Sequence, residues 1–253
     1  MRPVDYDDRM HRGYAAGRAL TGAQRAAWAR AFAARLPAAR PLRGLDLGSG
    51  TGRFAPLLAA EFGGPVTGVE PSRRMREQAV AHAAHPRVAY VPGRAEALPL
   101  PDGAVDFGLS FLVWHHVRDR PAGARELHRV LRPGGTLLLR TELADRLPAL
   151  WYIDAFPRGR EILGALYEPL SAVRGTFEAA GWELASVAEV ELPAPGTWAE
   201  ALARLRTRAF SVFEHMREAD VDAGFAELER RVAAAPRAPA PLAPGKLLTL
   251  RRA

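Results

Sequence analysis

The chain has 253 residues, 48% of them hydrophobic, enough for one large or two small domains; one is expected, cytoplasmic, because no stretch reaches the ~20 apolar residues of a membrane helix and the acidic opening MRPVDYDDRM lacks the regions of a signal peptide. Cysteine is absent, which excludes disulfides, thiolate nucleophiles, cysteine-ligated zinc and iron–sulfur clusters, and with the last any radical chemistry that needs one. The net charge of +7 would suit a nucleic acid, but Lys246 is the only lysine and the arginines are mixed with acids, as in RELHRVLR and ELERR; they read as solvated helix faces, and a nucleic-acid partner is not expected.

Residues 22–36 place Trp28, Phe32 and Leu36 at four-residue spacing, the apolar stripe of a helix. RGLDLG (43–48) predicts a short buried first strand, RFAPLLAAEF (53–62) a helix, and the apolar, β-branched PVTGVE (65–70) a second strand. A helix over 72–84 takes Ser72 as its N-cap, and RVAYVPG (87–93) is the third strand. AVDFGLSFLVW (104–114) reads as a buried fourth strand running into a loop. The helix AGARELHRVL (122–131) has Pro121 near its start; RPGG stops it, since Pro133 cannot continue a helix and Gly134 suits a type II turn. TLLLRTEL (136–143) is strand five.

Strands alternating with helices from 43 to about 143 imply a parallel sheet covered on both faces. Beyond it, 146–181 reads as a long, mostly helical segment, followed by a sixth strand, WELASVAEVEL (182–192). Two amphipathic helices are predicted within 197–216 and 219–235. The proline-rich connector PRAPAPLAPG leads to a last strand, KLLTLRR (246–252).

In GLDLGSGTGRF (44–54) the alternate glycines Gly48, Gly50 and Gly52 follow Asp46 at the end of the first strand, where backbone can approach a ligand in the crevice of an open sheet. A dinucleotide fingerprint needs its third glycine at relative position six, which here is Arg53, and no GK[ST] follows for a phosphate loop. Pyrophosphate is therefore not the expected ligand.

LDLGSGTGRF resembles the first motif of the class I S-adenosylmethionine (SAM) dependent methyltransferases, in the small-molecule, type 11-like group. GVEPSRRM, PGRAEALPLPDGAVDFGLSFLVWHHV and RELHRVLRPGGTLLL follow in that family's order, over roughly residues 43–140. The resemblance implies an α/β fold, a doubly wound, seven-stranded, mostly parallel Rossmann-like sheet with added helices forming a substrate cap. The implied organisation is an N-terminal helical cap segment (1–42), a SAM-binding core (43–143) and, over 144–253, substrate-facing helices with the last two strands of the same sheet.

It also implies SAM as cofactor, S-adenosylhomocysteine as product, and in-line transfer of the methyl group to a small, apolar or aromatic acceptor. Gly48, Ser49, Gly50 and Gly52 form the cofactor loop, and Asp46 faces the amino group through water. Glu70, 18 positions after Gly52, takes the ribose hydroxyls. Pro71 and Met75 line the adenine, and the turn carrying Arg94 and Ala95 recognises it through the Ala95 N–H. Arg94 departs from the family's usual Asp or Asn and can only donate. Glu96 matches a common family acid. Ser110 and Phe111 end strand four, where the methyl group should point, and YAAGRAL offers Tyr14 to close over the cofactor and Arg18 to pair with its carboxylate.

His115, His116 and Glu142 are the candidate general bases, needed only where the nucleophile is a phenol, an alcohol or a protonated amine. No metal cluster is read. Trp151, Tyr152, Phe156, Phe210 and Phe213 suit either the roof of an apolar pocket or core packing. Two further functions fit the same motifs: methylation of RNA or protein, and a non-catalytic SAM-binding regulator. Oligomeric state is not readable.

Overall fold

The computed structural model describes residues 11–241 and 244–253. Its strands are β1 (Leu42–Leu47), β2 (Gly63–Val69), β3 (Val88–Val91), β4 (Val105–Phe111), β5 (Leu131–Arg140), β6 (Trp182–Val190) and β7 (Gly245–Arg252). They form one seven-stranded sheet in the order β3-β2-β1-β4-β5-β7-β6. β1 to β5 pair in parallel, and β7 enters antiparallel between β5 and β6. The helices are α1 (His11–Gly17), α2 (Gly22–Ala33), α3 (Ala55–Phe62), α4 (Arg73–His82), α5 (Arg120–Val130), α6 (Gly159–Leu166), α7 (Leu170–Glu178), α8 (Trp198–Arg206) and α9 (Glu218–Ala233). None of the described helices is long and apolar enough to cross a membrane.

The central strands are apolar on both sides, so each sheet face builds its own core. Leu137 and Leu139 pack with Trp114, Leu127, Phe177 and Trp182 under α5 and α7. Leu138, between them, faces the other way, with Phe107 and Leu109, against Trp28, Phe32 and Phe62 of α2 and α3. That alternation is the strand period of two. Each large side chain so buried contributes roughly 1.5–3 kcal/mol relative to exposure.

Local signals set the helix starts. Thr21 and Gln24 close a capping box at α2, and the Ser72 hydroxyl accepts from Met75 N at 3.1 Å, as its sequence position predicts. Asp119 caps α5 by accepting from Ala122 N at 2.9 Å, so this helix begins two residues before the predicted Ala122.

Three sequence expectations need correction. RPGG does not precede strand five but lies inside it: the partners pass from Val105↔Leu131 to Phe107↔Thr136, so these residues loop out of the ladder, with Gly134 at φ 72°. The segment 146–181 holds only two short helices, α6 and α7, because Pro148, Pro157 and Pro169 interrupt it and Arg158 is left-handed. The helix predicted within 197–216 stops at Arg206, since Arg208 is left-handed too (φ 53°), and 211–215 form a 3-10 turn.

α6, α8 and α9 share a third core, in which Phe213 stacks on Phe225 and Phe156 meets both edge-on, among Leu163, Leu205 and Leu228. α1 meets this body closely: a Cβ on Gly17 would clash with Thr207 and Ala209.

Candidate active site

The loop after β1 turns by left-handed backbone at Gly48, Gly50 and Gly52, with φ of 65°, 55° and 81°. Gly48 N donates to Val69 O at 2.8 Å, which ties the loop to the end of β2. A Cβ at Gly48 would run into the Val113 side chain, so only glycine lets the chain pass here.

Two acids stand at this crevice. Glu70 directly follows β2 and is 7% exposed; its Oε2 accepts from Gly50 N at 3.0 Å and its Oε1 from Ser72 N at 2.9 Å, which fixes the carboxylate. Asp46, on β1, is 2% exposed, and its Oδ2 has no hydrogen-bond partner. Burial pushes its pKa up to about 7; Arg53 opposes the rise and Glu70 adds to it. The buried hydroxyls of Ser49 and Ser110 are unpartnered as well. A buried polar group left unsatisfied costs about 1–3 kcal/mol, so three such oxygens around one glycine loop fit a ligand with several polar groups and no phosphate.

The adenine-side residues divide. Met75 is 1% exposed and Ala95 is buried, but Pro71 and Arg94 are exposed. The Arg94 side chain turns toward Glu96, at 3.9 Å, and the turn is pinned by Ala97 N donating to Arg94 O at 3.2 Å. Glu96 has a structural task, accepting from Arg118 N and Asp119 N at 2.9 and 3.3 Å and so holding this turn to the start of α5.

After β4, Leu112 takes a left-handed φ of 58° and the chain enters a 3-10 turn over Trp114–His116. Trp114 is buried against Phe177, ring centroids 4.6 Å apart, which anchors the turn and leaves His115 and His116 lining a cavity of about 180 Å³. Its other walls include Tyr14, Arg18, Glu142, Tyr167 and Phe210, so helix α1 and the third core cover it. Both imidazoles are held neutral near pH 7, by burial first and then by His116 and Arg18 for His115 and by His215 and Arg18 for His116; His115 lies well below its ordinary range and His116 falls to about 4. His115 Nε2 is 3.5 Å from Ser211 Oγ, and its Nδ1 is buried without a partner. Glu142 is tied by Oε1 to Arg140 Nη2 at 2.5 Å, while its Oε2 is free of protein partners.

Residues 45–139 match the family model described as a methyltransferase domain. The 27-O-demethylrifamycin SV methyltransferase of Amycolatopsis mediterranei is 30% identical over 198 residues, covering 74% of this chain and 72% of that protein. The chain belongs to the class I SAM-dependent methyltransferases. Malonyl-acyl-carrier-protein O-methyltransferase of Enterobacter lignolyticus is 37% identical over 158 residues, 58% of this chain; the match spans 60% of that protein, less than two thirds of its length. A structure from Anabaena variabilis assigned to a methyltransferase of an antibiotic biosynthesis pathway superposes with a TM-score of 0.69 at 26% identity, over 88% of this chain and 96% of that one.

Within this methyltransferase fold, Asp46, the glycines, Ser49 and Glu70 gather at one crevice, and Arg18, His115, His116 and Glu142 at the neighbouring cavity. Of the five aromatics weighed as a roof, Tyr152 and Phe210 line that cavity, Trp151 lines a second one beside it, and Phe156 and Phe213 are core of the third cluster. Tyr167, Ser211 and Arg140 were not anticipated. Arg140 had a signal, an arginine closing the buried run LLLR; the other two are brought in by packing alone.

Proposed function

We propose that the chain transfers a methyl group from SAM to a small, apolar or aromatic acceptor. The observation that carries this reading is the adjacency of two features at the carboxyl ends of the strands: a glycine loop with unsatisfied Asp46, Ser49 and Ser110 oxygens, and a roofed cavity lined by His115 and His116. Asp46 would hold the cofactor's amino group, Glu70 its ribose hydroxyls, the main chain of Gly48 to Gly52 its amino-acid end, and Met75 with Ala95 its base; Arg18 would pair with its carboxylate.

When bound, SAM supplies an activated methyl group on a sulfonium that leaves without protein assistance. The chain's task is then chiefly alignment, which can contribute about 7–11 kcal/mol. Tyr14, Tyr152 and Phe210 wall the cavity. His115, held neutral by burial, presents a ring nitrogen that can accept a hydrogen bond from an acceptor's hydroxyl or amine and so orient it, with Ser211 Oγ beside its Nε2. Glu142, bound to Arg140, serves better to orient that guanidinium than as a base. α1 and the third core of α6, α8 and α9 form the substrate cap.

Incubation with isotopically labelled SAM and a metabolite extract tests this. Label should appear in a small molecule that gains one methylene unit in mass. Label entering RNA or protein instead would overturn the acceptor class, and no transfer with SAM bound would favour a regulator.

A further inference from the structure

Beside the first cavity lies a second, of about 210 Å³, and Arg18, Leu112, Arg140, Tyr152 and Phe210 line both. The rest of its wall includes Arg53 and the rings of Trp28, Phe111 and Trp151. Arg140 is 8% exposed; its guanidinium donates to Thr141 O at 2.8 Å and to Glu142 Oε1 at 2.5 Å, and its Nε is buried with no partner. Arg53 lies over the rings of Phe54 and Phe111, 5.0 and 4.9 Å from their centroids. Burial lowers its pKa to about 10, with Arg18 and Arg140 pushing the same way. Arg18 also has a buried Nε without a partner, and stacks over Phe210 at 4.5 Å.

Against these cations, Glu142 is the one carboxylate among the described residues that line the two cavities. Buried charge is tolerated only when paired. SAM does not supply the balance: its sulfonium and ammonium outweigh its single carboxylate. With Arg18 given to that carboxylate, Arg53, Arg140 and Arg204, which also lines the second cavity, still outnumber Glu142 and the Asp46 carboxylate that acts on Arg53.

We propose that Arg53 and Arg140 bind a carboxylate carried by the acceptor, which is an aromatic or apolar carboxylic acid. The planar guanidinium forks match a carboxylate, and the rings of Trp28, Phe111 and Trp151 take the apolar body. The atom to be methylated then reaches the first cavity across the shared wall. The assignment rests on the methyl-transfer reading and names its substrate class.

Calorimetric titration of the full chain with 2-naphthoate and with its uncharged isostere 2-naphthamide tests it. Wild type should bind the acid at least tenfold more tightly than the amide, and Arg53→Gln should abolish the difference. Arg140→Gln/Glu142→Gln removes a whole ion pair without stranding either charge, and should do the same. Equal affinity of wild type for the two probes, or a preference kept by both variants with native circular dichroism, would overturn it. S-adenosylhomocysteine titrated into the same preparations reads the cofactor site separately: its failure to bind wild type would count against the methyl-transfer reading, while the acid-against-amide comparison still decides the anion site.

Discussion

Asp46 is a residue whose chemistry the fold displaces strongly. Burial raises its carboxyl to about 7, whereas a cationic amino group beside it favours the ionised form and lowers that value on binding. Below pH 7 the free protein must lose a proton before it can bind, so the apparent affinity for S-adenosylhomocysteine should fall as pH drops, by up to about tenfold per unit, and level off above pH 7. Calorimetry between pH 5.5 and 8 checks this, and proton release at pH 6 should appear as a dependence on buffer ionisation enthalpy. A flat profile would remove Asp46 from the amino-group role. Asp46, the glycines and Glu70 were legible because their spacing is local: strand, turn and second strand end fix where they meet. Tyr167, Ser211 and Arg53 were not, since their proximity to His115 or Arg140 depends on chain far away. Arg94 shows the converse, a residue at a motif position whose side chain turns outward to Glu96.

Among the elements, the strand and helix alternation from β1 to β5 is the part that sequence period conveys well, because apolar runs of strand length and capping residues such as Ser72 are both local. Loops with positive φ at non-glycine residues were not visible: nothing in PRGRE or RTRAF marks Arg158 or Arg208 as left-handed, and Arg208 follows the end of α8 while Arg158 stands just before the start of α6, at points where periodicity alone would continue a helix. α2 is tied to the site by Trp28, which stacks on Phe32 at 5.7 Å and meets Phe111 edge-on at 4.9 Å, while Gly245 leaves room for its ring. Trp28→Ala should therefore lower the unfolding free energy by about 3–5 kcal/mol, read from the urea midpoint with an unchanged slope. A loss under about 1 kcal/mol would mean that α2 is not integral to this core.

For the whole molecule, the arginine-rich composition resolves into two populations. Many surface arginines are paired with nearby acids, as in Arg158–Glu161, Arg174–Glu178, Arg217–Asp220 and Arg231–Glu227, so much of the arginine content is neutralised in short-range pairs. Arg18, Arg53 and Arg140 differ, converging on cavities between the sheet and the third core. At the carboxyl ends of the strands the sheet carries a polar crevice, and α1 with the third core covers the cavities beside it. The central claim is that the cofactor docks at the carboxyl ends of β1 and β2. S-adenosylhomocysteine titrated by calorimetry into wild type, Asp46→Ala and Glu70→Ala tests it most directly. Each variant loses charge-assisted hydrogen bonds of about 1.5–3 kcal/mol and should bind more than tenfold more weakly; wild-type affinity in both variants would contradict the claim.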